Sequence, residues 1–399
     1  MNNHFYNFTQ FDHGMYKDPA SIKDLSIFIK HGKKIDDKIS EFFPLSKFGS
    51  EDDGLRIKGS KELLNGFSQI DAEKDDYILK LGEIELVGFT DDDEIILRIG
   101  KEEKNSIGAK DYNFTYEFLN DLFKMGTFST YCFKNKYIDI LSEDIKKLLE
   151  RDKEREKQYR LIKHHDVWYL RAITSAKHYH NYDNHLALYL TILGLQEYAN
   201  KQDAYFIVQS AHLSDSEMFV FFELENPTII EDLGEVYFGV YLSNNELRER
   251  ALTVELRYRV VDKRNDIEFA AIPGLKDALM KINHSTGVEK VEDKFKEILN
   301  LKEHQKSMLD YIHVIKNIDK ISEDRLFNVI NTIVKTKQKL STQTRSKVQK
   351  LYDENIINNT MNLLEIFDKL SQVTSDVEDK IFLERIYHSV IVSLTKNNK

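Results

Sequence analysis

The chain has 399 residues, of which 41% are apolar and 31% charged, with a formal net charge of −10. That length exceeds one typical core and predicts two or three domains, while 4 Pro and 16 Gly leave little room for long linkers. No apolar run is long enough to cross a bilayer, and the single cysteine, Cys132, excludes an intramolecular disulfide and a multi-cysteine zinc site.

The opening MNNHFYNFTQFDHG lacks the basic and apolar regions of a secretory signal, so a cytoplasmic setting is expected. Residues 1–65 read as loops and short helices, with one helix over Ser21–Lys30 stopped at Gly32. From Asp76 the segments DYILKLGEIELVGF and EIILRIG read as short strands, the first alternating apolar and polar residues as a half-buried strand does. Asn113–Gly126 reads as a helix with Phe114, Phe118, Leu119, Leu122 and Phe123 on one face. A second helix is predicted over Asp139–Asp166, and its charged stretch Arg151–Arg160 reads as a solvated end or linker.

DVWYLRAIT reads as a strand, DNHLALYLTILGLQEYANK as a helix, and AYFIVQSAHLSDSEMFVFFELEN as a hairpin. EVYFGVYLSNNEL and ALTVELRYRVVDKRNDIEFAAIP predict three further strands, the last two joined by a tight turn at KRND. After Pro273 no strand is predicted, and at least five helices follow. The expected fold class is α+β, with an antiparallel-rich middle sheet domain followed by an all-α C-terminal helical region. The expected divisions are 1–150, 151–273 and 274–399.

Four groups of residues have a pattern that chemistry can use. His178, His180, Asp183 and His185 are residue types that ligate zinc or a non-haem metal. A plainer role competes with that one: Asp183 or Asn184 caps the following helix and the histidines are solvated. Asp166, with Glu223 and Glu225 on one face of a strand, suits a metal-dependent nuclease or hydrolase, but no Glu-x-Lys follows, and the plainer reading is the wet face of a sheet. Cys132 sits among aromatic residues and reads as a small core residue. No nucleophile elbow and no glycine-rich phosphate loop is present, so no catalytic residue is assigned and no cofactor is expected.

The fourth group is basic. Lys335, Lys337, Lys339, Arg345, Lys347 and Lys350 follow one another with no acidic residue between Asp324 and Asp353. Such a set neutralises phosphates in a salt-dependent way, and the plainer alternative is a solvated helical hairpin. Residues 1–273 carry a net charge of −13 and residues 274–399 one of +3, so nucleic-acid contact is expected only from the second part.

RAITSAKHYHNYDNHLALY, followed by FGVYLSNNELRERALTVELRYRV, resembles the phage- and plasmid-borne family known as domain of unknown function 932. Arg171, Ala172, Ser175, Tyr179, Asp183 and Asn184 match the first part of its pattern, and Asn244 and Glu246 the second. Asn245 and Arg248 depart from it, as does DKRND in place of a Cys-Asn-Gly. Over residues 165–272 the resemblance implies a mobile-element origin, an α+β core and a neighbourhood of replication, recombination or host-defence conflict.

The chain is therefore expected to be a non-enzymatic mobile-element protein that associates with DNA. Two alternatives stand beside this: a protein-interaction factor or inhibitor in a host–phage conflict, and a metal-dependent nuclease or hydrolase. A protein partner and a homo-oligomer are both compatible with the sequence, and a membrane is not expected.

Overall fold

Polar residues between short apolar runs cut the front of the chain into many small elements. The computed structural model describes residues 5–8, 17–99, 104–247, 250–274, 278–316 and 320–396. The strands of its first half are β1 (Asn7–Phe8), β2 (Ile57–Lys58), β3 (Lys74–Lys80), β4 (Glu85–Phe89), β5 (Ile95–Ile99), β6 (Lys104–Gly108), β7 (Glu156–His164) and β8 (Val167–Thr174). The second half adds β9 (Phe206–Ser214), β10 (Glu217–Leu224), β11 (Thr228–Ile230), β12 (Gly234–Asn245), β13 (Leu252–Asp262), β14 (Ile267–Ala271) and β15 (Ala278–Ile282).

β3 to β8 form a six-stranded sheet in the order β3-β7-β8-β6-β5-β4. His165 and Asp166 both have positive φ, 47° and 61°, which makes the two-residue turn that folds β8 back on β7. Helices α3 (Phe114–Phe123), α4 (Gly126–Asn135) and α5 (Ile138–Arg151) belong to this unit. Phe118, Leu122, Leu141 and Ile145 fill one core with Leu97, Leu161 and Leu170 of the sheet.

The second sheet has nine strands, with β1-β9-β10-β12-β13-β14 as its main order and β2, β11 and β15 attached. Alternation decides its faces. Val236, Phe238, Val240 and Leu242 of β12 turn inward with Val254, Leu256, Tyr258 and Val260 of β13. Gly239 lets β12 approach β10, because a Cβ there would lie 1.9 Å from the Phe222 carbonyl oxygen.

α6 (Asn184–Gln202) lies against the inward face and is buried almost all round. An apolar helix without a polar stripe has to be enclosed. Its other sides are covered by a 3₁₀ turn over Ile22–Phe28 and by α7 (Val291–Lys296), and α1 (Lys34–Phe42) and α2 (Ser60–Ile70) join the same core. α8 (Leu301–Lys316), α9 (Glu323–Lys335), α10 (Thr342–Asp353), α11 (Leu363–Ser371) and α12 (Val377–Lys396) complete the chain. α11 and α12 pack on β14, and Phe367, Leu370, Tyr387 and Ile391 enter the core that contains α6. Among the described residues no helix is long and apolar enough to cross a membrane.

The α+β class is as expected, with strands ahead of helices. Pairing and packing cross the expected divisions: β7 and β8 pair with β3 and β6, and the C-terminal helices share the central core. Three elements differ from the sequence reading. The helix predicted over Asp139–Asp166 stops at Arg151, and β7 follows. α4 fills the stretch after α3. β15 stands in the segment expected to be free of strands and pairs with β13, burying Leu279, Met280 and Ile282. Short apolar runs of this kind carry no periodicity that separates strand from helix.

Candidate functional site: a cleft beside a buried ionic junction

The two sheets meet through charge. β3, β7 and β8 supply Lys74, Arg160 and Arg171, and the turn between β9 and β10, the end of β12 and the start of α6 supply Asp215, Glu246 and Asp183. Arg171 and Glu246 have no exposed side-chain surface, and neither does Arg160. One Glu246 oxygen accepts from Lys74 Nζ at 2.9 Å and from Arg171 Nη1 at 2.6 Å. The other accepts from the Asn184 backbone N–H at 3.0 Å, so Glu246 occupies the N-terminus of α6 from another element. Arg160 Nη2 donates to both Asp183 oxygens, its Nε to Asp76 at 2.9 Å and its Nη1 to the Glu246 carbonyl.

Burial and the nearby Asp183 charge push the Glu246 carboxyl up, but Lys74, Arg171 and Arg160 outweigh them and hold it down at about 2. Burial opposes ionisation of Asp183 too, and the two guanidiniums hold it well below the usual carboxylate range.

This cluster corrects the capping expectation. Asp183 is the first residue before α6, yet its carboxylate goes to Arg160 and makes no bond to the helix N–H groups. Asn184 Oδ1 accepts from Asn244 Nδ2 at 2.9 Å. Arg171, Tyr179, Asp183, Asn184, Asn244 and Glu246, all carriers of the family resemblance, therefore gather in one place. Tyr179 donates to the Glu246 carbonyl and stacks on His284 with ring centroids 4.6 Å apart.

The histidine stretch disperses. His185 Nε2 lies 2.9 Å from Asp36 Oδ1, which ties α6 to α1, and His178 is exposed in the loop. The backbone N–H of His180 donates to the His284 carbonyl. With Asp183 on Arg160, the four residues do not converge, and among the described residues no group of three or more His, Cys, Asp or Glu is placed to hold a metal ion.

Glu223 is buried rather than wet, contrary to the plainer expectation for that face. It is held by Arg257 at 3.1 Å and by Arg259 at 2.8 Å, beneath α12, whose Glu384 takes Arg257 through two bonds of 2.8 Å. Glu225 pairs with Lys58 instead. Cys132 is buried in the core of the first sheet, as expected.

The six basic residues of the C-terminal part have separate employments. Arg345 donates to the carbonyls of Leu340 and Val334, Lys347 to the carbonyl of Val373, and Lys350 lies 3.7 Å from Glu354. Lys335, Lys337 and Lys339 stand exposed around the turn between α9 and α10, with no carboxylate partner among the described residues. The Lys339 ammonium lies over the Phe382 ring, 5.7 Å from its centre.

Lys339 also opens onto a cleft of about 840 Å³ between the outer face of the nine-stranded sheet and the first half of α12. Tyr241 and Ser243 of β12, Thr253 and Glu255 of β13 and Lys281 of β15 line its sheet side. The facing wall carries Ser341, Asp379, Phe382 and Arg385. Local sequence pattern singles out none of Lys74, Arg160, Lys281 and Arg385. A charged residue between apolar strand neighbours was the available signal for Arg160, and for Arg257 and Arg259 as well. Compared with protein-family models, with curated proteins and with solved structures, the chain shows no match.

Proposed function

We propose that the protein is a non-enzymatic, DNA-associated protein of a mobile element, with its contact surface at the turn between α9 and α10. The carrying observation is the exposed trio Lys335, Lys337 and Lys339, without a carboxylate partner among the described residues, in a chain whose buried carboxylates and guanidiniums are largely spent on each other. Three ammoniums on one turn suit phosphate contact without base readout. The non-enzymatic reading is supported by the junction, where the perturbed acids serve as counter-ions. The mobile-element reading rests on the family resemblance, whose residues meet at that junction.

Replacing Lys335, Lys337 and Lys339 together with Glu is expected to abolish DNA binding at low salt. For the unmodified protein, the slope of log affinity against log salt should be about −2 to −3. Electrophoretic mobility shift across a salt series checks both. Arg345→Gln serves as a contrast: it should lower thermal stability and leave the slope unchanged, because its guanidinium is occupied by carbonyl and hydroxyl oxygens. If unmodified protein fails to bind DNA at low salt, the reading is wrong.

A second reading, a protein-interaction factor, is favoured by a different surface. Tyr116, Phe128, Tyr131, Tyr137 and Ile140 are exposed on α3, α4 and the start of α5, and the rings of Tyr131 and Tyr137 lie 5.9 Å apart. Exposed aromatic groups of this kind are common at protein interfaces. Changing Phe128 and Tyr131 to Ser should release a partner recovered from host lysate while leaving the DNA slope intact. Unchanged recovery of that partner by the double variant would remove this reading.

A further inference from the structure

We propose that the cleft between the nine-stranded sheet and α12 binds a small phosphorylated ligand of nucleotide size. This goes beyond contact with DNA, because the site is concave and includes Lys281, far from the lysine turn in sequence. Its volume of about 840 Å³ lies within the range of small-molecule sites, about 300–1,000 Å³.

The charges of the cleft decide what it can hold. Four carboxylates and four cations line it: Glu255, Asp376, Glu378 and Asp379 against Arg250, Lys281, Lys339 and Arg385. Two of the carboxylates are neutralised by an arginine, and two are held by neutral N–H and hydroxyl donors and keep their charge. Glu255 is held by Arg385 through two contacts of 2.8 Å. Glu378 pairs with Arg250. Asp379 accepts from the backbone N–H and hydroxyl of Ser341 and from the Thr344 hydroxyl, and so fixes the start of α10. Asp376 Oδ1 accepts the backbone N–H groups of Glu378 and Asp379 at the start of α12.

The two arginines are consumed by these pairs, and the two lysines are not. Lys281 stands opposite Thr253 in the register of β13 and β15, so its side chain rises from the same face of the sheet. Neither it nor Lys339, whose ammonium lies over the Phe382 ring, has a carboxylate partner among the described residues. Lys281 and Lys339 therefore keep ammonium donors without a carboxylate partner, and these suit an anion placed away from Asp376 and Asp379.

The neutral lining specifies the rest of the ligand. The hydroxyls of Ser243 and Thr253 lie 2.7 Å apart on the sheet side. Tyr241 lies beside them, its hydroxyl pushed up by burial. Hydroxyl groups of this kind suit the sugar of a phosphorylated compound, and Phe382, beneath the Lys339 ammonium, adds an apolar wall. A phosphate drawn to Lys281 and Lys339, with its sugar between the walls, is of a size the cleft admits.

Isothermal titration with adenosine 5′-monophosphate, adenosine and inorganic phosphate tests the proposal on the full chain. The nucleotide should bind once per chain and at least about tenfold more tightly than either adenosine or phosphate. Lys281→Ala should weaken the nucleotide at least about fivefold, with unchanged unfolding temperature and unchanged DNA binding. Lys335→Glu with Lys337→Glu, which weakens DNA contact, should leave the nucleotide affinity as it was. The proposal is overturned if the nucleotide shows no binding up to millimolar concentration, if adenosine or phosphate binds equally well, or if Lys281→Ala changes nothing. Loss of DNA binding in the lysine-turn variant bears only on the DNA reading.

Discussion

Glu246→Gln is expected to lower the unfolding free energy by about 3–5 kcal/mol, the usual cost of breaking a buried ion pair from one side. The amide keeps the shape of the side chain and removes the charge that Lys74 and Arg171 share. Both cations then remain buried without it, since neither has appreciable side-chain exposure. The same change weakens the acceptor at the first N–H of α6, the helix around which the larger core is built. Urea unfolding at neutral pH measures the loss. Lys74→Met added to Glu246→Gln should recover part of it, because one stranded charge is removed with its partner. A loss below about 1 kcal/mol would show that the junction is hydrated and of little weight for stability.

Acid should unfold the protein through the same residues. The Glu246 carboxyl falls from an ordinary 4.5 to about 2 in the folded chain, and Asp183 is depressed as well. A depressed acid binds fewer protons folded than unfolded, so its contribution is complete above the unfolded value. It is lost as pH falls from about 4.5 through about 2. For Glu246 this amounts to a loss on the order of 3 kcal/mol, since each tenfold change in proton affinity is worth about 1.4 kcal/mol. His284 acts in the same direction at higher pH, because burial lowers its value from 6.5 and the unfolded chain takes up the proton first. The urea midpoint should therefore decline below pH 6.5 and fall more steeply below 4.5. In Glu246→Gln the steep part should flatten. A midpoint independent of pH between about 5 and about 3.5 would contradict the assignment.

The α+β class and most of the central elements follow from local pattern alone. The β-rich run EVYFGVYL and the alternation in ALTVELRYRV marked β12 and β13, and the apolar stretch after Asp183 marked α6. Local pattern suffices there because each residue's face is set by its neighbours in the chain. The basic trio at the α9–α10 turn was legible as well, although its separation from Arg345, Lys347 and Lys350 was not.

Which charges are buried and which are free depends on packing between distant segments. Arg160 lay in a run that looked solvated, and it is fully enclosed because Asp76 and Asp183 reach it from distant parts of the chain. Glu223 looked wet until α12 covered it, more than a hundred residues later in the sequence. Asp183 looked like a cap, but Glu246, just beyond β12, took the helix N–H in its place. The cleft exists only because α12 returns across the sheet, and Lys281 belongs to it only because β15 joins β13. A charge tolerates burial when a counter-ion meets it, and the meeting depends on sheet register and helix return, which no local pattern encodes.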